Sequence, residues 1–313
     1  MPSITVVLPV FNRASVIPRA VGSVLVQTFA DFELIVVDDG SRDGTAAFLA
    51  GLSDHRVRVV TIGENRGACA ARNRGIAEAR GEILCFLDSD DFYLPGKLAC
   101  VASMFEARPE LDLLVDSFVC HKGDGPDRRV KPKLNPPGLD GPGFRSALFE
   151  RRIFKATSAI SVRRRALLEV GFFDEYLRRR QDMDLVLRLS RKHVCTTTDL
   201  VLWEKYESRD AISRDHGLFL QASIDICERH PEYLTRHPAC LYRDLRSHFA
   251  WLARHRKWRN LLVDARRYAR YVPFEHSLVR LMFDGRVSGV AQDDSIQRTR
   301  KDSGSPSNRA DNS

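Results

Sequence analysis

The chain has 313 residues and is 43% hydrophobic, 29% charged and 9% aromatic. That composition excludes wholesale disorder, a collagen-like repeat and a disulfide-stapled miniprotein, and leaves room for a large core. The formal net charge of +8 is unevenly spread: residues 1–117 hold 11 Lys+Arg against 16 Asp+Glu, a net −5, and the remainder carries +13. Apolar runs such as Ile4–Phe11 fall well short of the ~20 residues that a membrane-spanning helix needs. Met1-Pro2-Ser3 leads straight into a strand-like run, so no signal peptide is expected. The seven cysteines are odd in number and form no C-x-x-C, which favours free thiols in a reducing cytoplasm over a disulfide framework or zinc site.

Ile4–Val10 is a nearly continuous apolar, β-branched run, the pattern of a strand buried on both faces. Ala14–Phe29 has helical spacing through Ile17, Ala20, Val21 and Val24. Phe32–Val37 reads as a second strand ending in Asp38-Asp39-Gly40-Ser41. Thr45–Leu52 reads as a short helix, Val57–Ile62 as a third strand and Gly67–Arg80 as a helix. Glu82–Leu87 is a fourth strand, ending in Asp88-Ser89-Asp90-Asp91. A helix and then a strand at Leu111–Val115 follow, and His121–Gly143, dense in Gly, Pro and charge, reads as a long loop. Ala156–Val162 reads as a strand, Arg164–Val170 as a short helix, Gly171–Glu175 as a turn and Asp182–Lys192 as a strong helix. From Asp215 to about Phe283 the pattern is helical, with Trp258, Leu261, Leu262, Ala265 and Ala269 on one face; Gln292–Ser313 lacks apolar periodicity and reads as a disordered tail.

Strands alternating with helices predict an α/β/α sandwich with a mostly parallel sheet. Such sheets bind ligands outside the carboxyl ends of their strands, where both acidic clusters fall. Three carboxylates at the mouth of an apolar strand repel one another unless a cation sits among them. A hard divalent ion resolves that, and Mg²⁺ typically brings phosphates with it. Turn chemistry is the competing explanation for either cluster, because Asp, Gly and Ser are common turn residues.

Thr5–Asn12, Val36–Ser41, Asn65-Arg66-Gly67 with Ala71-Arg72-Asn73, Phe86–Asp91, and the later Gly171–Glu175 and Gln181–Leu185 together resemble the family 2 inverting glycosyltransferases of GT-A fold. The resemblance runs from residue 3 to about 215. It implies nucleotide contacts at Pro9, Phe11, Asn12, Arg13, Asp38, Asp39, Arg72 and Asp88, and a metal ligand at Asp90, with Asp91 in support. The implied cofactor is Mg²⁺ or Mn²⁺, and the implied catalytic base is Asp182, with Asp184 in reserve. The family's acidic pair at this point reads Gln181-Asp182 here. An aspartate at a helix start is also what capping favours, so an N-cap is the alternative role. The Tyr-Arg-x-His stretch of many relatives has no counterpart histidine near Trp203–Ser213, which leaves Lys205 or Arg209 to meet the diphosphate.

The implied function is metal-assisted single displacement, with inversion, moving a sugar from a nucleotide-sugar donor (UDP-linked) to a hydroxyl of a glycan or lipid-linked acceptor. The alternatives are a sugar-nucleotidyltransferase and a non-catalytic sugar- or membrane-surface-binding module. The expected organisation is a catalytic domain at 1–214, a helical appendage at 215–288 and a tail at 289–313. The Arg243–Arg280 stretch interleaves ten basic residues with Trp251, Trp258, Tyr268 and Tyr271. It reads either as a dock on an anionic membrane surface, which would place a cytoplasmic enzyme at the membrane's inner face, or as an amphipathic hairpin with solvated arginines. No nucleic-acid motif accompanies the charge, so nucleic acid is not an expected partner. Arg163-Arg164-Arg165 and Arg178-Arg179-Arg180 flank the expected acceptor side, as anion contacts or as plain surface.

Overall fold

The computed structural model describes residues 1–123, 128–206, 216–236 and 238–271. The chain divides into two compact units, Met1–Asp244 and Leu245–Ser313.

In the first unit the opening half alternates strand and helix: β1 (Ile4–Val10), α1 (Ile17–Leu25), β2 (Phe32–Asp38), α2 (Thr45–Ala50), β3 (Val57–Thr61), α3 (Ala68–Glu78) and β4 (Ile83–Phe86). These four strands pair in parallel, with Ile4 opposite both Phe32 and Ile83. Residues of β1 and β2 are buried on both faces, because helices cover both sides of the sheet. Gly75 lets α3 lie close on that sheet: a Cβ there would stand 2.4 Å from Val7 Cγ1.

Beyond β4 come β5 (Phe92–Tyr93), α4 (Lys97–Ala107), β6 (Leu111–Lys122), β7 (Arg129–Lys133), α5 (Gly141–Phe149), β8 (Ile160–Arg163), α6 (Arg164–Val170), α7 (Gln181–Lys192) and β9 (Val194–Tyr206). The described strands form one sheet in the order β3-β2-β1-β4-β8-β6-β9-β5, with β7 paired to β6. β8 runs antiparallel to both β4 and β6, and β5 and β7 are also antiparallel to their neighbours. The sheet is therefore parallel in its first half and mixed beyond it. Part of the long loop expected at His121–Gly143 is ordered instead: β6 runs on to Lys122 and pairs with β7 from Phe118↔Lys133 to Lys122↔Arg129. The high charge there reflects an exposed edge, and Pro132 sits on that edge strand.

The first unit continues through α8 (His216–Arg229), α9 (Pro231–Arg236) and the start of α10 (Pro238–Arg254). In the second unit, the rest of α10 meets α11 (Trp258–Tyr268). Leu245, Phe249, Leu252, Leu261 and Tyr268 are buried, and His248 Nε2 lies 2.8 Å from Asp264 Oδ2. Trp258 and Leu262 lie outside this core, at 58% and 63% exposure. The face expected to bury them instead buries Leu261 and Tyr268, one heptad apart. The expected tail and the last part of the appendage lie outside the described residues. Among the described residues, no helix is long and apolar enough to cross a membrane.

Candidate active site

β1 sits between β2 and β4, so the strand order reverses there and a crevice opens between the carboxyl ends of β1 and β4. Pro9 helps to open it. The ladder between these strands ends at Val7↔Phe86, and Leu87 N–H still donates to the Val7 carbonyl at 3.0 Å. The next backbone group on that side of β1 belongs to Pro9, which has no N–H to offer, so the pairing stops. A cavity of about 490 Å³ fills the gap.

One wall of the cavity carries Pro9, Phe11, Arg13, Asp39, Asn65 and Gly67. Asp39 accepts the N–H groups of Arg66 and Gly67 at 2.9 and 2.7 Å, which fixes the entry to α3. Gly67, at φ +91°, adopts a backbone that other residues avoid. Asn12 and Asp38 stand behind this wall. Asn12 accepts Arg42 N–H at 2.7 Å and donates its own N–H to Ser41 Oγ at 2.9 Å, and Asp38 accepts Ser41 N–H at 3.0 Å. These two residues tie together the loops after β1 and β2 rather than lining the cavity.

The floor holds Arg72, Asp88, Ser89, Asp90 and Lys205. Arg72 is 5% exposed, and its Nη2 donates to Asp88 Oδ1 at 2.6 Å. Its Nε and Nη1 are buried with no hydrogen-bond partner among the described residues. A buried guanidinium with two idle donors in a cavity wall is built to receive an acceptor-rich group. Burial works against its charge, and Asp88 more than offsets that, holding Arg72 above its usual range. Asp91 is fully buried behind the floor; it accepts Ser158 Oγ–H at 2.7 Å and Tyr206 N–H at 3.3 Å. Burial pushes its carboxyl up to about 7, against the pull of Lys205. Lys205 is held above the usual lysine range, chiefly by Asp91, with burial opposing and Asp88 and Asp90 adding. The mutual repulsion expected of the three carboxylates is thus relieved in part by Arg72 and Lys205.

The opposite wall is Ala156, Thr157, Arg178, Arg179, Gln181 and Asp182. The turn that leads into it is clamped from two sides. Asn73 on α3 donates to the Phe173 carbonyl at 2.9 Å and accepts Phe173 N–H at 3.0 Å. Arg188 on α7 donates to the carbonyls of Val170, Gly171 and Phe172 at 2.8–3.0 Å. The N-cap of α7 is Arg180, in a left-handed conformation at φ 62°. Asp182 is the second residue of the helix, so it does not take the capping position that its sequence position suggested, and its Oδ1 accepts Met183 N–H at 2.8 Å. Asp184 does not reach the cavity. It is 2% exposed and bonded to Arg188 at 2.8 Å and His230 at 2.9 Å. Burial would raise its pKa, but the His230 bond and the Arg188 charge outweigh burial and hold it below the usual carboxylate range. Arg209 lies outside the described residues. Arg178, Arg179, Asn65 and Thr157 are wall residues that the motifs did not single out as contacts. Only Asn65 lay within a motif, and the arginine triplet was read as an ambiguous charge run.

Among the described residues, no group of three His, Cys, Asp or Glu side chains forms a ready-made metal cage. Asp88 and Asp90 nevertheless bring carboxylate oxygens to one cavity floor. One or two carboxylates with substrate phosphates completing the shell is the usual protein share of a Mg²⁺ site, so the donor set fits a hard divalent ion.

The sheet and its switch-point crevice define a domain of GT-A fold. Residues 5–171 match the family described as Glycosyl transferase family 2, and the chain belongs to that family. It is 44% identical over 98 residues to the succinoglycan biosynthesis protein ExoO of Rhizobium meliloti (strain 1021), a match covering 31% of this chain and 28% of that protein. It is 38% identical over 101 residues to the Escherichia coli UDP-Glc:alpha-D-GlcNAc-diphosphoundecaprenol beta-1,3-glucosyltransferase WfgD, covering 32% of this chain and 40% of that protein. The chain thus spans less than half the length of these relatives. The fold is similar to that of S. aureus TarS 1–349 in complex with UDP-GlcNAc, at TM-score 0.61 and 16% identity, covering 80% of this chain and 81% of that one.

Proposed function

We propose that the protein is an inverting glycosyltransferase that moves a sugar from a UDP-sugar to a hydroxyl of a glycan or lipid-linked acceptor. The observation that carries this reading is a single cavity that joins the β1 and β2 strand ends, the buried Arg72 with idle donors, the Asp88 and Asp90 carboxylates and the carboxylate of Asp182. UDP and UDP-GlcNAc complexes of the similarly folded TarS support the donor class. The relative WfgD, named for UDP-glucose and a diphosphate-linked lipid, supports both donor and acceptor classes.

Phe11, Arg13 and Asp39 bind the nucleoside end, with Asn12 and Asp38 shaping the loops that present them. Arg72 and Lys205 receive diphosphate oxygens. Asp88 meets the ribose, and Asp90 would hold Mg²⁺ or Mn²⁺, an ion that would supply charge stabilisation for the departing diphosphate. Asp91 is braced by Ser158 and keeps the acidic loop in place. Asp182 takes the proton from the acceptor hydroxyl as that oxygen attacks the anomeric carbon from the face opposite the leaving group. The basic second unit exposes Trp258, Leu262 and Val263 beside Arg259, Arg266 and Arg267. This supports contact with an anionic membrane surface, where a lipid-linked acceptor would be met.

A screen of nucleotide sugars in Mn²⁺, read as nucleotide diphosphate release, tests the donor class. Asp182→Asn should keep UDP affinity and lose transfer by a factor of about 10²–10⁴, the usual share of a general base. Full transfer by this variant would dismiss the base. UDP affinity in Mn²⁺ unchanged by Asp90→Ala would dismiss the metal role.

A further inference from the structure

The start of α7 is set by a residue far along the chain. Arg180 caps this helix with a left-handed backbone, φ 62° and ψ 25°. Arginine has no acceptor to offer the first N–H groups of a helix. A residue with a Cβ also adopts that backbone only at a cost. Neither capping nor backbone preference explains an arginine there. Its guanidinium does: Nη2 donates to Asp244 Oδ2 at 3.1 Å. Arg151 repeats the pattern. It follows α5 at φ 62°, in the place where glycine usually ends a helix. Its N–H donates to the Leu148 carbonyl at 3.2 Å, and Arg152 N–H to the Ala147 carbonyl at 2.8 Å. Its Nη1 donates to the other oxygen of Asp244 at 2.8 Å. Both arginines thus hold backbones that suit glycine, and both reach the same carboxylate.

Asp244 is 2% exposed and also accepts Ser223 Oγ–H at 2.7 Å. Burial works against its charge. The Arg151 bonds and charge outweigh burial, Arg180 and Ser223 add to them, and the carboxyl is held below its usual range. Asp244 is therefore an ionised anchor. Neighbouring helices hold the rest of the Asp182 segment. Phe219 on α8 lies against the guanidinium groups of Arg179 and Arg180, at 5.2 and 5.0 Å. His230, just past α8, meets Asp184 at 2.9 Å, and Arg229 meets Asp174 at 3.0 Å. Asp182 stands between Arg180 and Asp184, so its turn is fastened on both sides. The fastening residues all lie beyond β9, well outside the residues 5–171 that match the family.

We propose that Asp244 is a positioning residue for sugar transfer: its carboxylate holds Arg180, and through it the first turn of α7, so that Asp182 meets the attacking hydroxyl. The role rests on the reading of Asp182 as the base. It gives α8 and the start of α10 a part in the reaction, as the back of the acceptor-side wall rather than an appendage to it. Guanidinium forks on a carboxylate fix direction as well as distance, so the tether is stiff. Stiffness matters at a general base, because a misplacement of about 1 Å can lower a rate about a hundredfold.

The test compares the full chain with Arg180→Gly and Asp244→Asn. Glycine adopts the left-handed backbone freely, so Arg180→Gly cuts the tether and keeps the turn. Asp244→Asn keeps the shape and removes the charge. Hydrogen exchange read by mass spectrometry should speed up about tenfold in peptides covering the start of α7, the effect of losing one charge-assisted bond, and stay unchanged in β1 and β2. UDP affinity in Mn²⁺ should hold within about twofold. Turnover of the UDP-sugar chosen by the donor screen should fall about tenfold in kcat, with the donor KM within about twofold. The double variant should fall no further than the worse single one, because both break the same contact. Arg56→Gln breaks the 2.8 Å pair with Asp54 ahead of β3, away from the cavity, and should change none of these readings. Full kcat in folded Arg180→Gly, exchange that rises evenly along the chain, or a loss carried by UDP affinity overturns the positioning role. If the melting temperature shows that Asp244→Asn does not fold, Arg180→Gly decides alone. Full turnover by Asp182→Asn would instead take down the base, and the positioning role with it, while the exchange still reads whether Asp244 holds the helix.

Discussion

The pair Lys97–Asp116 gives the most quantitative test of the structure. Both side chains are fully buried, and Lys97 Nζ donates to Asp116 Oδ2 at 2.6 Å and to the Ser158 carbonyl at 2.9 Å. Ser158 in turn accepts Asp88 N–H at 3.1 Å and donates to Asp91, so this pair lies under the acidic loop of the cavity. Lys97→Met leaves a carboxylate buried without its cation, a loss of about 3–5 kcal/mol, set against a total stability of about 5–15 kcal/mol. Burial already holds the Asp116 carboxyl up at about 6, with Lys97 pulling it down. A folded pKa above the ordinary value of 3.8 means that Asp116 favours folding at acid pH, and that this contribution fades as pH rises through about 6. Removing Lys97 raises the folded value further, so the penalty of the variant must grow with pH. Urea unfolding at about pH 5 and about pH 8 should show the larger loss at the higher pH. The double variant Lys97→Met with Asp116→Leu should regain much of the loss, since an apolar pair of similar volume removes the stranded charge. A loss under about 1 kcal/mol at the higher pH, or equal losses at both, would refute the argument.

Three further outcomes follow from contacts described above. Gly75→Ala drives a methyl into Val7 and should destabilise the protein by about 1–3 kcal/mol, seen as a lowered Tm. Asn73→Ala releases the turn ahead of α7; UDP affinity should hold while kcat/KM for transfer falls about tenfold, because Asp182 loses its fixed approach. Alkylation with iodoacetamide at about pH 8 should label Cys100 first, as the other six cysteines are buried. Burial pushes Cys69 and Cys85 up to about 11, so their thiolates are scarce. Mass spectrometry of the digest reads the order.

The parallel half of the fold was legible because β1, β2 and β4 are buried on both faces and written in nearly unbroken apolar runs, and β3, though part-exposed, keeps three valines in five residues. Val194–Tyr206 was not read as a strand: Thr196, Thr197 and Thr198 are buried polar residues, and Asp199 interrupts the pattern. β5 is two residues long and has no periodicity to read. The acidic strand ends and Asp182 could be found from their motifs. Sequence could not separate residues that touch the cavity from those that hold the touching loops. Asp38 and Asp39 are neighbours in one motif, yet one secures Ser41 and the other lines the wall. Nor could it separate two arginine triplets of identical composition, because their difference lies in which carboxylates, Glu82 and Asp112 against Asp244, stand within reach.

The antiparallel β8 is a seam. On one side of it, β1 to β4 and their loops form a self-contained parallel block that presents the cavity wall from Pro9 to Gly67. On the other side, the segments around Lys155, Arg178 and Lys205 hang from a separately wound block, and the family match ends at residue 171, before two of those three. The two banks are nevertheless tied where Asn73 meets Phe173 and where Ser158 meets Asp88 and Asp91. A substitution on one bank is felt on the other wherever it touches those few contacts.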